Sequence, residues 1–168
     1  MRRFLVILLI LLAHTNYANL HSNERMKAVF VYNFLKYIHW PSEHSINAFT
    51  IGVMNDTELY EEILNISKIK KSIGNQVIVV EKVENYEEPV QLLFVGRAYE
   101  GTLSPIINMA KNNHTLLVTD IKGGMAKGFA IELIIASNQA EFDISKKHLK
   151  ECKLSVSQQL LDMARTIE

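Results

Sequence analysis

Short apolar runs separated by helical segments constrain this chain most. Val90-Gln-Leu-Leu-Phe-Val-Gly96, after Pro89, and Thr115-Leu-Leu-Val-Thr119 are dense in Val and Leu. Runs of that length and texture read as strands buried on both faces, as in an α/β layer protein. Phe49-Thr-Ile-Gly-Val-Met54 alternates and is rich in β formers, and Gln76-Val-Ile-Val-Val80 follows Gly74-Asn75; both read as strands. Helices lie between them. Asn55-Asp56 can cap one, with Asp56 and Glu58 placing acids in its first turn, running to about Leu64, and Leu103 to Lys111 forms another. Gly128–Ala136 and Gln139–Ile144, joined by Ser137-Asn138, read as a hairpin, so at least one strand pair is antiparallel. Ser155-Val-Ser-Gln158 fits a capping box that opens a closing helix, with Val156, Leu160, Met163, Ala164 and Ile167 facing the core. The expected fold class is α/β: a single-domain mixed β-sheet flanked by helices, ending in a β-hairpin and C-terminal helix.

Ahead of the strands, residues from about Ser22 to His39 carry Met26, Val29, Phe30, Asn33, Phe34, Tyr37 and Ile38 at three- and four-residue spacing. That spacing predicts an amphipathic helix with a broad apolar stripe, with Lys27 and Lys36 falling mostly off it. Pro41 biases Trp40 out of the helical region and stops the helix, leaving Trp40 to fold back as a plug over the core edge. Phe30 and Phe34 read as core. Tyr32 and Tyr37 are candidate contact residues, because a phenol can face both apolar surface and water.

Residues 1–20 stand apart from this pattern. Arg2 and Arg3 precede an unbroken apolar run, Phe4 to Ala13, of ten residues, the length of a signal-peptide core and short for a membrane span. They are expected to be a signal peptide or a retained N-terminal anchor, with residues 21–168 forming the folded domain. Without Arg2 and Arg3 the chain keeps 16 basic against 18 acidic residues, a net charge of −2. That balance offers no general attraction to nucleic acid. Cys152 is the only cysteine; no intramolecular disulfide or CxxC exchange centre is possible, and neighbouring Leu149 and Leu154 favour its burial.

Catalytic motifs are sparse. The glycine cluster Asp120-Ile-Lys-Gly-Gly-Met-Ala-Lys-Gly128 could present backbone N–H groups to a phosphate, but its spacing matches neither GxGxxG nor GxxxxGK[ST], and a loop feeding the hairpin explains it as well. His39 and His44 could meet around the Trp40-Pro41 turn beside Glu43, yet no HxH or HExxH pattern supports a metal, and His39 suits a helix C-terminus. Glu141 and Asp143 share one strand face, and Glu132 could oppose one of them across the hairpin. Such a pair could do acid–base work; the alternative is a solvated sheet edge with Phe142 and Ile144 inward and Lys146, Lys147 and Lys150 neutralising the acids. Ser104 lacks the GxSxG turn and Ser157 lies within the start of the closing helix. No catalytic residue and no cofactor is assigned.

Several segments together resemble the YfiR family of small exported proteins. They are Val29-Phe-Val-Tyr-Asn-Phe-Leu-Lys-Tyr-Ile-His-Trp-Pro41 at the front, Glu141-Phe-Asp-Ile144 and Leu154-Ser-Val-Ser-Gln-Gln-Leu-Leu161 with Ala164 at the back, and Phe49-Thr-Ile-Gly-Val, Leu92-Leu-Phe-Val and Leu116-Leu-Val-Thr-Asp120 between. The resemblance spans about residues 24–167. It marks Phe30, Asn33, Phe34, Trp40, Pro41, Phe142, Ser155, Gln158 and Leu160 as structural positions. It implies a periplasmic α/β domain without enzymatic activity, often dimeric, that binds and represses or modulates the extracytoplasmic domain of an inner-membrane diguanylate cyclase or sensor kinase and so affects cyclic-di-GMP and biofilm formation. Two departures stand out. Cysteine pairs found in some members are missing here, and Phe129-Ala130 follows Gly128 where the family often has a second glycine and a bulky apolar residue. Tyr99, after Gly96-Arg97, joins Tyr32 and Tyr37 as a candidate partner contact. The competing readings are a small ligand-binding module at the strand ends near Gly96 and Gly123, and a hydrolase using Glu132, Glu141 or Asp143.

Overall fold

The computed structural model describes residues 23–41, 48–136 and 139–168. The segment 1–20, the helix start at Ser22, His44 with Glu43, and the Ser137-Asn138 turn lie outside the described residues.

The first helix, α1, covers residues 23–37. It stops two residues before the sequence predicts, because Ile38–His39 (β1) pairs antiparallel with Ser155–Val156 (β9), Ile38 opposite Val156. Two residues cannot declare themselves as a strand; the ladder partner, far along the chain, decides their state. Next come Ala48–Met54 (β2), Thr57–Ile69 (α2), Ser72–Ile73 (β3), Gln76–Lys82 (β4), Leu92–Val95 (β5), Leu103–Asn113 (α3) and Leu116–Thr119 (β6). Asp56 caps α2 as expected, its Oδ1 accepting the Leu59 N–H at 3.0 Å. The helix continues five residues past Leu64, ending where the Lys70 N–H closes on the Ile66 carbonyl. Ile131–Ala136 (β7) and Gln139–Ile144 (β8) form the expected antiparallel pair, followed by Lys146–Glu151 (α4), β9, Gln158–Met163 (α5) and Thr166–Ile167 (β10).

The main sheet has eight strands in the order β10-β8-β7-β6-β5-β2-β4-β3. Its centre, β4-β2-β5-β6-β7, is wholly parallel. Numbered along the chain, those five strands run 2-1-3-4-5, the order of flavodoxin-type sheets, whose ligand crevice opens at the carboxyl ends of the strands where the order reverses. Here that point lies between the ends of β2 and β5. β5 and β6 are buried at every position, as their unbroken apolar sequence requires.

The aromatics assemble the core. Phe34 and Phe142 are fully buried with ring centroids 5.3 Å apart, and half-buried Phe30 joins them at 6.2 and 5.6 Å. Each buried ring contributes roughly 1.5–3 kcal/mol over an exposed one. Trp40 stands edge-on to Phe49 at 4.9 Å and donates its indole N–H to the Gln91 carbonyl at 3.1 Å; beside it Pro41 is half-buried. The Gln91 side chain in turn accepts the Thr50 N–H at 2.6 Å, fixing the turn region to the sheet.

Three expectations are corrected at the C-terminus. Ser155 does not cap the closing helix: it is exposed in β9, and Ser157 caps α5 by accepting the Leu160 N–H at 3.3 Å. Gln158 is exposed and donates forward to Asp162 at 2.7 Å rather than back to the cap. Of the residues expected to face the core, Leu160 is buried and Val156 and Ala164 pack against it, but Met163 and Ile167 are exposed. The helix ends at Met163, the chain turns extended at Ala164, and Ile167 sits on edge strand β10. Helix α4 was not foreseen: five of its six residues are charged or polar and only Leu149 is buried, and the Ser145 hydroxyl caps it.

Candidate functional site

Four elements converge at the carboxyl ends of the central strands. α1 delivers Glu24 and Lys27, one turn apart; Asp56 stands between β2 and α2, Arg97 just after β5, and Asp120 just after β6. Gly96 makes the convergence possible, because a Cβ there would lie 2.5 Å from the Asn55 carbonyl oxygen.

Lys27 was expected off the buried stripe, and the structure overturns that. It is 1% exposed, with its ammonium 5.7 Å above the centre of the Phe94 ring. Nζ lies 2.7 Å from Glu24 Oε2, 2.9 Å from Asp56 Oδ2 and 2.8 Å from Asp120 Oδ2. A lone buried ammonium is untenable, whereas one with three carboxylates is compensated. Burial acts to lower the Lys27 pKa, but the charge and hydrogen bond of Asp120, with Glu24 and Asp56, outweigh it and hold the value above that of an ordinary lysine. Glu24 moves up as well, chiefly through loss of water, against the opposing pull of Lys27. Asp120 is further tied by Arg97, whose backbone N–H reaches Oδ1 at 2.8 Å and whose guanidinium reaches Oδ2 at 2.9 Å from Nε. A groove of about 340 Å³ opens over this cluster, with Glu24, Lys27, Asp56 and Arg97 among its lining residues.

The other sequence candidates have structural partners too. Glu132 stands opposite Asp143 in the hairpin register. The Glu132 carboxylate accepts the Gly123 N–H at 2.9 Å and the Met125 N–H at 3.3 Å, with Gly123 in the left-handed region at φ 72°. The glycine loop therefore turns its amides onto the chain's own acid, in the position where a phosphate was considered. Asp143 is held by Arg165, Nε to Oδ1 at 2.9 Å, and that hydrogen bond keeps its carboxyl below the usual aspartate range. Arg165, rather than Lys146, Lys147 or Lys150, is its counter-ion. Glu141 is exposed, and Phe142 and Ile144 point inward as expected. His39 is exposed on β1. Among the described residues no group of three or more His, Cys, Asp and Glu is placed to hold a metal. Cys152 is buried, which raises its thiol to about 11.

The three candidate contact tyrosines do not converge. Tyr32 is 7% exposed, its ring capped by the Lys36 and Lys70 ammonium groups at 5.5 and 5.1 Å. Tyr37 is half-buried against the core, and Asn33 is half-buried, its Oδ1 accepting Lys36 Nζ at 3.2 Å. Tyr99 lies in the loop after β5, its N–H on the Gly96 carbonyl.

Sequence reasoning missed Lys27, Glu24, Arg97 and Arg165. A lysine between Met26 and Ala28 in a helix whose flanks are otherwise apolar was the available signal, together with acids directly after two strands. Strand order and strand-end chemistry define an α/β domain of flavodoxin-type sheet order whose crevice is lined by an ion-paired lysine cluster. More particularly, the chain belongs to the DUF4154, YfiR/HmsC-like family, whose model matches residues 24–165. No curated protein matches the chain. No helix among the described residues is long and apolar enough to cross a membrane.

Proposed function

We propose that this chain is a non-enzymatic periplasmic regulator that binds the extracytoplasmic domain of an inner-membrane signalling protein, a diguanylate cyclase or a sensor kinase, and represses or modulates it. Residues 1–20 serve as its export signal or anchor and residues 21–168 form the acting domain. Family membership over 24–165 supports the class. The observation that carries the reading is Lys27: where this strand order ordinarily admits a ligand, the chain has placed its own ammonium among Glu24, Asp56 and Asp120. Glu132 and Asp143 are likewise engaged by loop amides and Arg165. Such a molecule acts through its outer surface, and Tyr37 and Tyr99 are the sequence candidates that retain some exposure.

The test is a pull-down of the chain, purified from the periplasm, with the extracytoplasmic domain of the membrane signalling protein encoded beside it. Binding is expected, with a change in cyclic-di-GMP or kinase output on deletion. No binding and no change in either output on deletion would refute the proposal. Sedimentation of the same preparation over a range of concentrations reads whether it works as a homodimer.

A further inference from the structure

α1 and the end of α2 leave an apolar hollow of about 170 Å³ between Val29, Tyr32, Asn33, Ile66, Ile69 and Lys70. Its lip is unusually apolar for a surface: Ile69 is 83% exposed and Val29 46%. Its floor is the buried Tyr32 ring. Two ammonium groups, Lys36 and Lys70, stand over that ring, and no carboxylate pairs with either among the described residues. α2 is also polarised along its length, with Glu58, Glu61 and Glu62 in its first half and Lys68, Lys70 and Lys71 at and beyond its end.

We propose that this hollow is the docking site for an acidic segment of the partner protein that inserts one large apolar side chain over Tyr32 and places carboxylates against Lys36 and Lys70. The inference rests on the reading that the chain works by binding a partner. Three features select that occupant. The hollow is concave and has room for one side chain, the geometry by which an amphipathic helix anchors in a groove. The two ammonium groups at the Tyr32 ring, without a carboxylate partner among the described residues, call for negative charge, and complementary charge speeds encounter and fixes register. Exposed apolar groups around a desolvated aromatic floor have the anatomy of an interface centre with a polar rim. A bilayer surface offers positive side chains the same attraction but no knob to fill the hollow.

The test uses the protein purified from the periplasm and labelled for methyl and aromatic NMR. The probe is an amphipathic helical peptide with a leucine stripe flanked by glutamates, and its twin has lysines in place of the glutamates. The acidic peptide is expected to move the Val29 and Ile69 methyls and the Tyr32 ring, and its twin to leave them still. Ile69→Glu, at an exposed position that leaves the core intact, is expected to weaken binding on the order of tenfold or more. The Lys36→Glu, Lys70→Glu double variant should weaken it and flatten its salt dependence. The proposal is overturned if the acidic peptide shifts other surfaces only, if phosphatidylglycerol vesicles and not the peptide perturb this site, or if Ile69→Glu abolishes self-association while peptide binding is absent. A pull-down that succeeds equally with Ile69→Glu removes the hollow but keeps the regulator reading. A failed pull-down beside a positive peptide titration does the reverse.

Discussion

Lys27 and Val29 stand two residues apart on α1 and invert the usual distribution of polarity. The lysine is buried and the valine is half in water. On the lysine side the buried charges pair with one another: the ammonium meets three carboxylates, Asp120 meets Arg97, and Asp56 also caps α2. On the valine side, exposed apolar groups lie beside two lysines that have no carboxylate partner among the described residues. The difference separates two uses of one helix. A mutually satisfied polar cluster holds elements in register and has little left to offer a ligand. An unsatisfied mixed surface adds little to the fold and is free to meet something else.

The contrast is broken most forcefully by Lys27→Ala. Removing its ammonium leaves Glu24 and Asp56 buried or nearly so beside Asp120, which keeps only Arg97, and a loss of about 3–5 kcal/mol in urea unfolding is expected. A loss no larger than that of a surface substitution would mean that the cluster is solvated. Asp143→Asn tests a smaller closed pair. Because Arg165 lowers the native Asp143 pKa below its unfolded value, its contribution is full above the ordinary aspartate range and is lost as pH falls through the lowered native value. Wild type should therefore exceed the variant in thermal stability at neutral pH, with the gap closing in acid and narrowing in salt, since Arg165 is well exposed. Equal stability at neutral pH and low salt would show the pair to be idle. Cys152 offers a kinetic check on the closed side: with its thiol at about 11 against an ordinary 9.0, about a hundredfold less thiolate is present at neutral pH. Alkylation of the native protein should lag that of the urea-unfolded protein by at least that factor, and equal rates would place the thiol at the surface. The smallest effect belongs to the open side. Ile69→Ser is expected to leave unfolding stability within about 0.5 kcal/mol, measured beside Lys27→Ala under the same conditions; a larger drop would make Ile69 part of the core.

What the sequence disclosed follows the range of the interactions that decide each feature. β2, β5, β6 and the β7–β8 hairpin were readable because their apolar density or turn is local, and Asp56 because a cap acts within one turn. Phe34, Phe142 and Leu160 were recognised as core for the same reason. The two-residue strands were not readable. Ile38–His39 becomes β1 only by meeting residues 155–156, and Thr166–Ile167 becomes β10 only by meeting Asp143 and Ile144. The closing helix was misplaced by two residues because Ser155 and Ser157 offer equivalent caps, and the choice falls to the pairing of β9. Lys27 was misread because a charged side chain defaults to solvent, and the acids that overrule the default lie 29 and 93 residues away. Tyr32 was expected at a surface and instead lines the bottom of one.

The same long reach sets the order in which the chain can come together. α1 is near the front, yet its rings need Phe142, its ammonium needs Asp120, and the residues that end it need Ser155 and Val156. Pairings so distant along the chain form late and slowly. The front of the polypeptide cannot lock into its final state until nearly all of the remainder is available, so a chain emerging end-first stays open and threadable until its tail arrives.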